Sequence, residues 1–309
     1  MAACQNKNNL SKNYTGEVRV GDLRDEDYLD RMLNGIDIIC HAAGWPSFIN
    51  SKKQSQKNYL EPSIDLINRA VEWRVKRFVN LSNIAVASLN NRNNPLAKGK
   101  PRRHAAMLNC MLAVEDYLKA RANEHLSVVN LRTGIYSGKQ LQIGVLPALL
   151  ARVKSGWLPE IIGRYRYFPL VDGRDIGQAF ARAALAPNLP FYESINIVGP
   201  EVPSQKSVYD FMQTAFKLPR PWIKLPASLV QLVSYPCGLI KYKHHPLLPR
   251  TLADFIANPM INNDKASHLI GYNPEIHWTA SIQDYWLVQQ NNPHSIHLSK
   301  PEQQPDLDD

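Results

Sequence analysis

Residues 36–44, Ile-Asp-Ile-Ile-Cys-His-Ala-Ala-Gly, constrain the fold more than any other stretch of the chain. An apolar run climbs to a corner where Ala42 and Ala43 carry nothing larger than a methyl group. A short apolar run bounded by turn signals reads as a strand buried on both faces, as in a parallel sheet. Small residues at the carboxyl end of such a strand let a ligand approach the backbone, and open α/β sheets bind their ligands at that end. The plainer alternative is a buried strand that ends in a tight turn.

The rest of the chain alternates around this strand. Residues 1–16 are polar, rich in Asn and Lys, and read as a flexible lead-in. Residues 17–23, EVRVGDL, form a short alternating strand. Residues 24–34 form a helix with acidic residues in its first turn, where the helix dipole favours them, and Gly35 closes it. Residues 57–74 read as a helix with Leu60, Ile64, Ile67 and Val71 on one face. Its Pro62 is tolerated if the helix starts near Leu60. A buried strand over 77–82 and a polar loop over 87–100 follow. A helix over 105–124, a strand over 127–131 and a helix over 144–155 come next. Strands alternating with helices argue for a parallel sheet with right-handed crossovers. Beyond Ile161 the pattern loosens: a strand over 168–171, a helix over 174–184, a strand over 194–198, a helix over 206–216, and a Pro-rich helical stretch to about Gln290.

Composition narrows the function classes. At 309 residues, 44% hydrophobic and 20% charged, the chain has the make-up of an ordinary globular protein. No apolar run reaches the ~18 residues of a membrane span. The run over 225–240 is interrupted by Pro236 and Gly238 and reads as a packed lobe helix. The N-terminal residues lack the apolar core of a signal peptide, which makes cytoplasmic the default location. Four cysteines without CxxC spacing suggest neither a metal site nor a disulfide framework. The net charge of +9 is scattered, with its densest cluster over 98–103, and no nucleic-acid motif accompanies it. Nucleic acid is therefore not an expected partner.

The order of motifs resembles the extended short-chain dehydrogenase/reductase family, in its NAD-dependent epimerase/dehydratase and 3β-hydroxysteroid-dehydrogenase-like branch. The likeness runs over residues 17–290. It rests on Gly21-Asp22-Leu23, His41-Ala42-Ala43-Gly44, Asn58, and the stretches RFVNLS (77–82) and LRTGIYSG (131–138). It continues through Gly163, Pro169-Leu170-Val171, Asp175-Ile176, Asn196-Ile197-Val198-Gly199 and LIGYNP (269–274). No one motif is specific, but their order and spacing are. The resemblance implies an α/β protein: a Rossmann-type parallel sheet lacking its first βαβ portion, with a smaller, mostly helical C-terminal substrate lobe. The implied division is a truncated NAD(P)-binding domain over 17–160, an interleaved lobe over 161–290 and a flexible tail over 291–309. NAD or NADP is the implied cofactor, with a small-molecule ligand in the lobe. Asp22 and Leu23 would contact the adenine, Ala42, Ala43 and Gly44 would line the phosphate–ribose path, and Arg132 and Thr133 would lie near the nicotinamide. The plainer roles are a helix cap for Asp22, packing spacers for the alanines and a surface ion pair for Arg132.

Two departures bear on chemistry. The family's glycine-rich turn, which seats a pyrophosphate on a helix N-terminus, has no counterpart before residue 17. The family's Tyr-x-x-x-Lys pair, in which Lys lowers the Tyr pKa for proton exchange with a substrate hydroxyl, is also missing. Counting back from Glu115 puts Met111 at the Lys position and Met107 at the Tyr position, and the Ser position falls on Asn83, or on Ser82 with a one-residue slip. A thioether exchanges no proton at neutral pH. His104 and Tyr117 are not convincing replacements.

The missing start leaves an apolar strand with an unpaired edge. The strand over 17–21 moves in beside it, a partner chain covers it (a homo-oligomer), or the chain is a fragment. Three functions stay open: an NAD(P)-dependent oxidoreductase or epimerase acting on a sterol-like, acyl or sugar-nucleotide hydroxyl; a non-catalytic binding or regulatory module; and a remnant without function. Trp157, Tyr165, Tyr167, Phe168, Trp222 and Trp278 hint at an apolar or ring-bearing ligand, although aromatics in a lobe are more commonly core.

Overall fold

A computed structural model of the chain describes residues 1–44, 52–90, 106–139, 145–154, 160–162, 167–221, 224–226 and 261–291. His104, Gly163, Trp157, Tyr165, Trp222, the basic cluster over 98–103, residues 227–240 and the tail beyond 291 lie outside these residues. The contacts divide the chain into two units. One is formed by residues 1–132, 179–196 and 265–271, and the other by 133–178, 197–264 and 272–309.

The first unit is built on a four-stranded sheet. Its strands are β3 (Ile38–His41), β4 (Arg77–Asn83), β5 (Ser127–Thr133) and β9 (Tyr192–Ile197), side by side in the order β3-β4-β5-β9. β3 and β4 run parallel, with Ile39 opposite Phe78 and His41 opposite Asn80. Helices α1 (Glu26–Leu33), α3 (Glu61–Glu72) and α5 (Ala106–Arg121) cover one face. Their Leu29, Met32, Ile67, Ala70, Val114 and Leu118 form a single core with Ile39, Phe78 and Val128. Asp25 caps α1: its carboxylate accepts from the Tyr28 amide at 3.1 Å.

Three expectations change here. β3 is not buried on both faces: Ile39 and His41 point into the core, whereas Ile38 is 37% exposed and Cys40 is exposed. β3 ends the strand order, and the covering helices lie over only one of its faces. The strand over 17–21 has not moved beside it. β2 (Val18–Val20) pairs in parallel with β1 (Ala2–Cys4), so residues read as a lead-in contribute a strand. The loop expected from residue 87 begins as helix α4 (Ile84–Asn90), because the Asn83 side chain accepts from the Ala85 amide at 2.8 Å and starts a new helix.

Pro62 also meets a different solution. A helix already runs before it, as α2 (Lys52–Ser55) and a π-helical turn over Gln56–Leu60. Proline lacks the N–H that would continue an α-helix and crowds the preceding turn. The π turn widens that turn, and the Glu61 amide reaches back to the Gln56 carbonyl.

The second unit carries two parallel pairs: β6 (Ile135–Ser137) with β8 (Leu170–Asp172), and β7 (Glu160–Ile162) with β10 (Lys224–Pro226). The apolar run from residue 225 thus begins inside a strand. Helices α6 (Val145–Lys154), α7 (Gly173–Leu185), α8 (Gln205–Phe216), α9 (Asp264–Ile270) and α10 (Trp278–Asn291) complete the described elements. The α7 carboxyl end and α9 belong to the first unit. Among the described residues, no helix is long and apolar enough to cross a membrane.

Candidate functional site

The carboxyl ends of β3, β4 and β5 carry most of the residues singled out from sequence. The tripeptide Val-Asn-Leu occurs in both β4 (79–81) and β5 (129–131), and these neighbouring strands use it alike. The Asn80 amide donates to Asn130 Oδ1 at 2.9 Å, and the Asn130 amide continues to Ser194 Oγ at 3.4 Å. Two residues further along each strand stand Ser82 and Arg132, and both meet Glu115 of α5. Ser82 Oγ donates to Glu115 Oε1 at 2.5 Å. Arg132 donates through Nε to both carboxylate oxygens at 3.1 and 3.2 Å and through a terminal nitrogen to Oε2 at 2.5 Å. Glu115 is 1% exposed. Burial opposes the Arg132 charge, but the bonds and charge of Glu115 outweigh it and raise the guanidinium pKa. Two of the three guanidinium nitrogens are thereby committed inside the protein. Glu115 served in the sequence only as a counting mark; the repeated Val-Asn-Leu is the signal that identifies its partners.

His41 closes β3 facing inward, 5% exposed, with Nε2 at 3.3 Å from Ser63 Oγ of α3. Burial holds its pKa down, at about 4. The following Ala42, Ala43 and Gly44 are exposed, and a Cβ built on Gly44 would meet nothing within 4 Å. This stretch of backbone is open to a ligand.

Asp22, placed after β2, is fully engaged. Its carboxylate accepts from the Arg24 amide at 2.9 Å, from Arg24 Nε at 3.1 Å and terminal nitrogen at 2.6 Å, and from the Gln5 amide at 3.1 Å. The Arg24 hydrogen bonds hold its pKa below the usual carboxylate range. Leu23 is half-buried against the core. Thr133 opens the second unit, buried, its hydroxyl donating to the Tyr136 hydroxyl at 2.9 Å.

The residues that the resemblance puts at proton-transfer positions all have structural partners. Met107 and Met111 are half-buried on α5 and pack against the core of the first unit. Asn83 caps α4 and Ser82 bonds Glu115. Tyr117 donates to Asn68 Oδ1 at 2.6 Å and lies under the Arg121 guanidinium, 4.6 Å from its ring centre. Among the described residues no three of His, Cys, Asp and Glu group as metal ligands. Of the residues expected to meet a dinucleotide, Ala42–Gly44 present exposed backbone, whereas the Asp22 carboxylate is engaged by Arg24 and Gln5 and Arg132 is held by Glu115.

No protein-family model and no curated protein sequence matches the chain. Its fold matches solved structures, among them enzymes crystallised with NAD, UDP or a UDP-sugar. The protein gox2253 superposes with a TM-score of 0.69 at 18% identity, over 91% of this chain and 86% of that one. The Bordetella bronchiseptica enzyme WbmG, solved with NAD and UDP, gives 0.64 at 17% identity, over 97% and 90%. The UDP-glucose 4-epimerase of Thermotoga maritima, solved with UDP-glucose, gives 0.63 at 15% identity, over 92% and 89%. The chain has the α/β fold of these proteins.

Proposed function

From that shared fold, we propose that the chain is a protein of the NAD-dependent epimerase/dehydratase type that no longer performs the family's proton-coupled hydride transfer, and that it serves as a small-molecule-binding module. What supports this reading is the pair Met107 and Met111, which the family resemblance puts at the Tyr and Lys positions and which pack against the core of the first unit. Hydride transfer at a carbinol needs a group to take the hydroxyl proton, and a thioether has none to give or accept. Asp22 and Arg132, at the expected adenine and nicotinamide ends, have partners within the chain.

A second reading is an active NAD(P)-dependent oxidoreductase or epimerase on a sugar-nucleotide or sterol-like hydroxyl. It draws support from WbmG with NAD and UDP, whose fold matches 97% of this chain.

Titration of NADH and NADPH into the purified chain, followed by fluorescence and calorimetry, separates the two. The first reading expects weak binding, with Asp22 and Arg132 engaged inside the chain, and no turnover of UDP-sugars, because a thioether takes up no proton. Micromolar binding with turnover overturns it. Micromolar binding without turnover, with turnover appearing in Met107→Tyr/Met111→Lys, confines the loss to the proton-transfer pair.

A further inference from the structure

The start of α10 brings together a hydroxyl, an imidazole and a carboxylate, all three belonging to the second unit. The Thr279 hydroxyl oxygen lies 2.8 Å from His277 Nδ1, and His277 Nε2 lies 3.0 Å from Glu201 Oε2. A carboxylate can only accept, so Nε2 donates to it. The Thr279 amide, which can only donate, meets Nδ1 at 3.4 Å, so Nδ1 is the acceptor. The Thr279 hydroxyl therefore donates to a ring nitrogen that presents its lone pair. Glu201 Oε2 also accepts from the Trp278 indole N–H at 3.4 Å. Trp278 is itself buried and edge-on to Phe211 of α8, with ring centres 5.3 Å apart. The carboxylate is thus held by a packed ring on one side and orients the imidazole on the other. His277 and Glu201 are exposed, Thr279 is half-buried and Ala280 beyond it is exposed, so solutes can reach the group.

We propose that Thr279, His277 and Glu201 act as nucleophile, general base and orienting carboxylate in the hydrolysis of small carboxylic esters with an apolar acyl group. A hydroxyl within hydrogen-bond reach of a base, with that base oriented by a third group, is the arrangement that activates a weak oxygen nucleophile. Thr279 Oγ attacks the acyl carbon while its proton passes to His277 Nδ1. The alkoxide takes that proton as it departs as an alcohol, leaving the acyl group esterified to Thr279. Water then attacks the acyl carbon and gives a proton to His277, which returns it to Thr279 as the acid leaves. The first amides of a helix lack intrahelical partners and carry the positive end of its dipole. The Ala280 amide, which follows the nucleophile in the first turn of α10, is the donor placed for the developing oxyanion. Trp278, its ring centre 5.5 Å from that of His277, and the half-buried Phe211 offer apolar surface for the acyl group. The proposal is independent of whether the chain binds a dinucleotide.

The test gives the full chain p-nitrophenyl acetate and p-nitrophenyl butyrate, follows nitrophenolate release, and maps the acyl group by peptide mass spectrometry after an acid quench. The expected result is saturable turnover with an acyl group trapped on Thr279. Thr279→Val keeps the side-chain shape and is expected to keep the parent's circular dichroism while losing both the trapped acyl group and the saturable turnover. Thr279→Ser is expected to retain both. His277→Gln is expected to lower kcat about a hundredfold, the low end of what a positioned base contributes. Glu201→Gln is expected to lower kcat with KM unchanged, which a merely structural carboxylate would not do. Equal turnover by the parent and Thr279→Val places ester cleavage on other side chains and overturns the proposal, as does the absence of an acyl group at position 279 in both the parent and Thr279→Ser.

Discussion

His41 is a base held where it cannot take a proton cheaply. Its folded pKa is about 4 against about 6.5 in an unfolded chain, so below pH 6.5 the unfolded state binds the extra proton. Its contribution to stability is complete above about pH 6.5, falls as the pH drops toward 4, and levels off below, a loss of about 3 kcal/mol at most. Denaturant unfolding at about pH 7 and about pH 5 is expected to show a fall that His41→Gln largely removes; an unchanged pH slope in that variant would assign the fall to other groups. At Gly134 the constraint is space. A Cβ there would stand 1.9 Å from the Pro169 carbonyl oxygen, the acceptor of the Ile135 amide at 2.7 Å. The obstacle is backbone, as is the Pro169 carbonyl carbon at 2.9 Å, so nothing flexible can yield. Gly134→Ala is expected to cost about 3 kcal/mol or more and to lower Tm sharply, in contrast to Gly173→Ala, whose Cβ meets open space.

β3 is the element whose neighbours decide most. Its sequence carries no charge and no proline, the usual devices that keep an edge strand from pairing with another molecule. With Ile38 and Cys40 exposed, that edge is expected to self-associate at high concentration. Ile38→Lys should lower the apparent mass by sedimentation or light scattering while changing stability by no more than about 0.5 kcal/mol. The strand itself was legible in the residue pattern, because periodicity is local. Its exposed face was not, because burial is conferred by elements distant in sequence. The same divide explains α4, whose start depends on a single Asn83 side chain, and the π turn, which answers a proline six residues beyond its first residue. It also explains Asp22 and Arg132: a carboxylate and a guanidinium that the resemblance assigns to a cofactor look free until Arg24, Gln5 and Glu115 are seen to occupy them.

Across the whole molecule, the order of strands and helices followed from the alternation of apolar runs and amphipathic stretches, and the match to enzymes at 15–18% identity has the same source: burial pattern outlasts residue identity. What the chain does with that fold was less legible, since it turns on a few side chains whose partners lie far off in sequence. One feature of the architecture also governs how long the chain takes to reach it. Every strand pairing whose register is described is parallel, the isolated Tyr167–Ser204 bridge being antiparallel: Ile38 must find Arg77, Ile135 must find Leu170, and Glu160 must find Lys224, each across an intervening helix. No such pair can close by a two-residue hairpin, so large loops lose their freedom before any ladder bond rewards them. Refolding followed by stopped-flow fluorescence is therefore expected on the millisecond-to-second scale, with populated intermediates, rather than in microseconds. In a cell, that interval is the window in which an unsealed strand such as β3 meets other chains.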